Sequence, residues 1–148
     1  MDTDRAARLT GELVEAFNRG DWEAMRSCCA PAMTYEEAGT GRRVEGVEEY
    51  LAVCRGWREA MSDVRGAVRT TVVGDGEVAQ ELVWEGTHDG PLVTPAGTVP
   101  ASGRRVRVTA TLWSSVGPEG VSRVRHHADM LLLMQQLGLV PEPAAASA

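Results

Sequence analysis

The 148-residue chain contains no lysine and no isoleucine, a single phenylalanine and only three cysteines. Without a lysine amine no side-chain Schiff base can form, which excludes lysine-type aldolase and pyridoxal phosphate chemistry. All fifteen cationic residues are arginine, a usage explained most simply by codon bias in a GC-rich genome. Cys28, Cys29 and Cys54 are odd in number and two of them are adjacent. They make no disulfide framework and read as small hydrophobes. No apolar run approaches the ~20 residues that span a bilayer. The opening MDTDRAAR lacks the basic-then-apolar pattern of a secretory signal, so a reducing cytoplasm is the expected compartment. Positive charge is also short. A net charge of −6 and a pI near 5.1 offer no basic face to nucleic acid or anionic membrane.

Several reaction machines are missing as well. No G-x-S-x-G elbow and no glycine-rich phosphate loop occurs. The three histidines are His88, His126 and His127, and the last two are neighbours on a strand, pointing to opposite faces. A three-histidine zinc site is therefore not expected, and a mixed site of His88, His127 and a carboxylate stays open. Acid–base work by carboxylate and imidazole is the chemistry that remains, with no metal or cofactor expected.

The length suits one domain over residues 1–141, followed by a tail, 142–148, with nothing to pack against. Ala6, Leu9, Leu13, Ala16 and Phe17 recur near helical spacing, predicting a helix from Thr3 to Arg19 that stops at Gly20. Asp21 reads as the N-cap of a short helix from Trp22 to Cys29, ended by Pro31. Short strands are expected at Met33 to Glu37 and Arg42 to Glu45, then a third helix from Val47 to Met61. Beyond Val64 the period changes to two. A strand from Arg65 to Val73 turns at Gly74-Asp75-Gly76 and returns as Glu77 to Thr87. On the return, Val78, Gln80, Leu82, Trp84 and His88 share a parity that reads as the concave face. Asp89 to Gly103, punctuated by Pro91, Pro95, Gly97 and Pro100, is long for a connection and reads as a rim or lid over a pocket. Arg104 to Ser114 follows, with Val106, Val108, Ala110 and Leu112 on one face and Arg105, Arg107, Thr109, Thr111 and Trp113 on the other. Gly117-Pro118-Glu119-Gly120 turns it into the last strand.

The stretch Val121 to Pro141 carries Asp129 at the junction of that strand with an apolar helical turn. Burying an ionised Asp without partners is costly, so it is paired, partly wet, or poised for proton transfer. Arg123, Arg125 and His127 share its parity if no bulge intervenes. A second role is open to it: an Asp before Met130 to Gln136 can cap the helix.

Two segments, Trp84-Glu85-Gly86-Thr87-His88-Asp89-Gly90 and His127-Ala128-Asp129 with Gln135-Gln136-Leu137-Gly138-Leu139, resemble the SnoaL-like polyketide cyclases of the nuclear-transport-factor-like superfamily. The resemblance runs from the first helix to Pro141. It implies an α+β fold: a cone-shaped barrel with N-terminal helices packed on a curved, mainly antiparallel sheet. It also implies a cofactor-independent intramolecular aldol ring closure in antibiotic biosynthesis, acting on a polyketide-like small molecule. Asp129 matches the family's acid/base aspartate and His88 the histidine of its G-T-H-x-G segment. Trp84, Gln80, Leu112, Arg125, His127 and Glu36 are the expected substrate contacts, Glu36 because the family often places a strand near the pocket mouth there. His127-Ala128 and Arg125 stand where aromatics are common, which keeps other readings open: a polyketide hydroxylase, an epoxide hydrolase using Asp129, Arg125 and Asp89, or a cone that only binds a ligand. Family members commonly pair through the outer sheet face, so a homodimer is expected.

Overall fold

A computed structural model describes residues 2–141, and the expected tail at 142–148 lies outside the described residues. Helix α1 (Thr3–Arg19) is capped by the Asp2 carboxylate, which accepts from the Arg5 N–H, and ends at Gly20, whose φ of 68° is the left-handed turn that glycine adopts without strain. The Asp21 carboxylate caps α2 (Trp22–Cys28) through the Ala24 N–H. Strand β1 (Cys29–Glu37) starts at once and carries Pro31 within it, where the sequence suggested only a break; a register shift between Cys29 and Thr34 accommodates it. The chain continues through β2 (Arg42–Glu45), α3 (Val47–Ala60), β3 (Arg65–Val73), β4 (Glu77–Thr87), β5 (Leu92–Thr94), β6 (Gly97–Val99), β7 (Arg105–Gly117), β8 (Gly120–Ala128) and α4 (Met130–Gln136).

Six strands form one sheet in the order β2-β1-β8-β7-β4-β3, with β1 and β8 parallel and the remaining pairs antiparallel. The sheet is curved over the helices but open, so the cone is not a closed barrel. Alternation along β7 buries Val106, Val108, Ala110, Leu112, Ser114 and Val116 on the inner face. The fold is the α+β arrangement the sequence implied. The segment between β4 and β7 folds into a separate hairpin, β5-β6, whose Leu92 is buried where the hairpin packs on α3. Among the described residues no helix is long and apolar enough to cross a membrane.

Register decides which side chains look inward. Leu112 on the inner face of β7 stands opposite His126, Ser114 opposite Val124, and Ala110 opposite Ala128. The inner set of β8 is therefore Val124, His126 and Ala128, and the parity chosen from the sequence is reversed. The same holds on β1, where Met33, Tyr35 and Glu37 are buried and Glu36 faces out.

Candidate active site

Between the inner sheet face and helices α1, α3 and α4 lies a chamber of about 90 Å³. Leu13 and Phe17 of α1, Val108 and Leu112 of β7, and Met130 and Leu133 of α4 give it a mostly apolar wall. Two glycines allow the closest approaches. A Cβ at Gly66, paired with Trp84 across β3 and β4, would overlap the indole ring, and one at Gly39 would collide with Met130.

Into this wall project Tyr35 and Glu37 from β1, His126 from β8, Trp57 from α3 and Trp84 from β4. Glu37 is 5% exposed, and its carboxylate is held on both oxygens. Oε2 accepts from the Tyr35 hydroxyl at 2.6 Å and the Trp57 indole N–H at 2.8 Å. Oε1 accepts from the Thr40 hydroxyl at 2.9 Å, with Arg42 Nε at 3.5 Å. A buried charge so furnished with donors is tolerable in an apolar wall.

His126 links to this group. The Trp84 indole N–H donates to its Nε2 at 3.1 Å, and its Nδ1 lies 3.0 Å from the Tyr35 hydroxyl. An indole can only donate, so Nε2 is the bare nitrogen of the neutral ring and Nδ1 carries the hydrogen. Nδ1–H then donates to the Tyr35 oxygen, and Tyr35 donates to Glu37: a directed chain from imidazole to carboxylate. Burial pushes the imidazole down to about 4, prevailing over Glu37, which favours the cation, while His127 adds to the depression. The ring is neutral at pH 7. The ring also lines the chamber. Burial first, then Glu37, holds the Tyr35 hydroxyl well above its ordinary 10. It remains a donor. Cys54 also lines the chamber, but burial pushes its thiol up to about 12, so no thiolate nucleophile is available.

Of the residues singled out from sequence, Trp84 and Leu112 line the chamber. Gln80 is buried on the same face without reaching it. The others lie elsewhere. Asp129 is exposed and its carboxylate accepts from the Leu132 N–H at 3.0 Å, which makes it the N-cap of α4. His88 is buried at the neck of the hairpin: Nδ1 accepts from the Ser102 N–H at 3.2 Å and lies 2.8 Å from its hydroxyl. Arg125 stacks over Trp113 at 5.4 Å on the outer face, where His127 is exposed opposite Thr111. Glu36 pairs with Arg123 at 3.3 Å on that same face. Asp89 bonds the backbone and hydroxyl of Ser62. Asp129, Arg125 and Asp89 therefore do not converge on a water. Among the described residues no group of three His, Cys, Asp or Glu side chains is placed to hold a metal ion.

Sequence reasoning passed over Tyr35, Trp57 and His126, and set Glu37 beside Glu36 on the strand near the pocket mouth without giving it a role. A usable signal existed: Glu37 shares parity with Met33 and Tyr35, and His126 with Val124 and Ala128, all of them apolar or aromatic partners.

A family model of SnoaL-like polyketide cyclases matches residues 7–137. The chain belongs to that family. Its fold is shared with a candidate SnoaL-like polyketide cyclase from Jannaschia sp. CCS1, at a TM-score of 0.83 and 20% identity over 94% of this chain and 95% of that one. AclR, a candidate hydroxylase from Streptomyces galilaeus, aligns at 0.81 and 20% identity over 96% and 86%. IdmH, a candidate polyketide cyclase from Streptomyces antibioticus, is 27% identical at 0.76 over 90% and 98%. The first two bear on fold alone. No curated protein matches this SnoaL-like chain.

Proposed function

We propose that this protein is a cofactor-independent polyketide cyclase that closes a ring by intramolecular aldol addition, with His126, Tyr35 and Glu37 moving the proton. The observation that carries the reading is the directed hydrogen-bond chain from His126 Nδ1 through Tyr35 to Glu37, buried against an apolar chamber. A carbon between two carbonyls is acidic enough to yield its proton to an imidazole without metal assistance. As substrate enters, the Trp84 N–H leaves Nε2 and donates to the substrate carbonyl oxygen. Nε2 takes the proton, and the C–H electrons pass into the enolate. The Nδ1 hydrogen shifts to Tyr35 as the Tyr35 hydrogen shifts to Glu37, so no imidazolium is stranded in an environment that disfavours it. The enolate carbon attacks a ketone or aldehyde of the same molecule, a C–C bond forms, and the reverse shift delivers the proton to the new alkoxide. The product is an isomer of the substrate.

Asp129 matches the family's acid/base aspartate and is the competing base. Asp129→Asn separates the two, because Asn caps a helix as well as Asp while removing the charge. With a linear anthraquinone-type keto ester as substrate, Asp129→Asn should stay within a few-fold of wild type. Retained turnover in Glu37→Gln and His126→Phe, with loss in Asp129→Asn, would move the chemistry to α4.

A further inference from the structure

The chamber is smaller than the roughly 150 Å³ at which an apolar protein cavity takes up a benzene-sized guest. A molecule long enough to fold into a ring cannot sit in it alone. On the other side of Trp57 lies a groove of about 420 Å³ between α3 and the β5-β6 hairpin, lined by Val53, Gly56, Leu92, Val93 and Arg42. Trp57 belongs to both walls. Glu37 is held from both sides, by Trp57 on Oε2 and by Thr40 and Arg42 on Oε1. Chamber and groove together reach the volume usual for a ligand site of drug-like size.

We infer that the groove is a second compartment of the site: the substrate passes Trp57, its reacting carbons lie against His126 and the rest of it lies under the hairpin. The inference rests on the proposed function for which end reacts. The chemistry of the groove narrows the occupant. Leu92, Val93 and Val53 offer an apolar bed, and Arg42, whose Nε lies 3.5 Å from Glu37, carries further N–H groups that can donate to an oxygen in the groove. Glu49 lines the groove as well, so Arg42, paired with Glu37, is outnumbered by carboxylates and the local charge is already negative. An anion gains nothing there. The fitting occupant is an uncharged fused-ring or chain segment bearing a hydrogen-bond acceptor, and Arg42 with Trp57 selects it.

Gly56 provides a test that does not threaten folding. It is exposed within α3, a Cβ there meets nothing within 4 Å, and replacing a mid-helix glycine favours the helix. Binding of three probes is measured by calorimetry on wild type, Gly56→Phe and Arg42→Gln: acetone, a carbonyl compound smaller than benzene that suits the chamber alone, hydroxyanthraquinone, and anthraquinone carboxylate. Gly56→Phe should weaken hydroxyanthraquinone at least tenfold and change acetone less than twofold. Arg42→Gln should weaken hydroxyanthraquinone about fivefold, and wild type should bind the carboxylate at least tenfold less tightly than the neutral probe. Equal hydroxyanthraquinone affinity in wild type and Gly56→Phe, or no binding to wild type, would overturn the second compartment. Preference for the carboxylate would overturn its assigned chemistry. Binding as described with turnover indifferent to His126 and Glu37 would instead sink the catalytic reading and leave the compartment standing.

Discussion

Single residues carry the strongest physical signatures. His126 has its basicity depressed from 6.5 to about 4, chiefly by burial. Between those values the unfolded chain takes up a proton that the folded ring refuses, so folding stability falls as pH drops through that window and is unaffected above it. The full loss is about 3 kcal/mol. Urea midpoints from pH 7 to pH 4 should therefore fall more steeply for wild type than for His126→Phe, and parallel curves would show the ring to be no more desolvated than in the unfolded chain. Asp129 has a separable role. Asp129→Ala should cost about 1 kcal/mol through the lost cap of α4, with Asp129→Asn near neutral in the same denaturation experiment.

At the scale of elements, packing between strands fixes the site. Gly66 on β3 leaves room for the Trp84 ring, and that ring sets the hydrogen on His126. Gly66→Ala should displace the indole, costing about 1–3 kcal/mol and freeing Nε2. The histidine Nε2 resonance in a nitrogen NMR spectrum should change as its donor is lost; an unchanged resonance would remove Trp84 from the positioning role. Element positions were readable from sequence because their punctuation is local: Asp2 and Gly20 bound α1, and Gly74-Asp75-Gly76 separates β3 from β4. The face of β4 and of β7 was readable too, since Val, Leu and Ala alternate there with Arg, Glu and Thr. On β1 and β8 polar residues occupy both faces, Glu36 beside Glu37 and His126 beside His127. There the inside is settled by pairing, β8 with β7 and β1 with β8, a long-range fact that local alternation does not contain. Asp129 takes the second role that the sequence left open to it, the cap of α4. It lies past the strand end, where its carboxylate turns back to the helix, and strand parity no longer applies to it.

At the scale of the molecule, the helices, sheet and hairpin leave two adjoining hollows and one broad outer face. That face carries Trp113 at 40% and Val72 at 62% exposed, amid Arg107, Glu85, Arg125 and Glu36. A homodimer through it is proposed, given the apolar side chains set among charges of both signs. Light scattering at micromolar concentration should return twice the 15.9 kDa chain mass, and Trp113→Glu should return one chain. A wild-type monomer would refute the pairing.

The central claim is that the proton is handled inside the chamber and not at the start of α4. Its most direct measurement is turnover of a linear anthraquinone-type keto ester by wild type, Glu37→Gln, His126→Phe and Asp129→Asn, each shown folded by circular dichroism. Glu37→Gln and His126→Phe should lose about a hundredfold or more, the usual size of a general acid–base contribution, while Asp129→Asn keeps nearly all activity. Full activity in the two chamber variants, with loss in Asp129→Asn, would contradict the account.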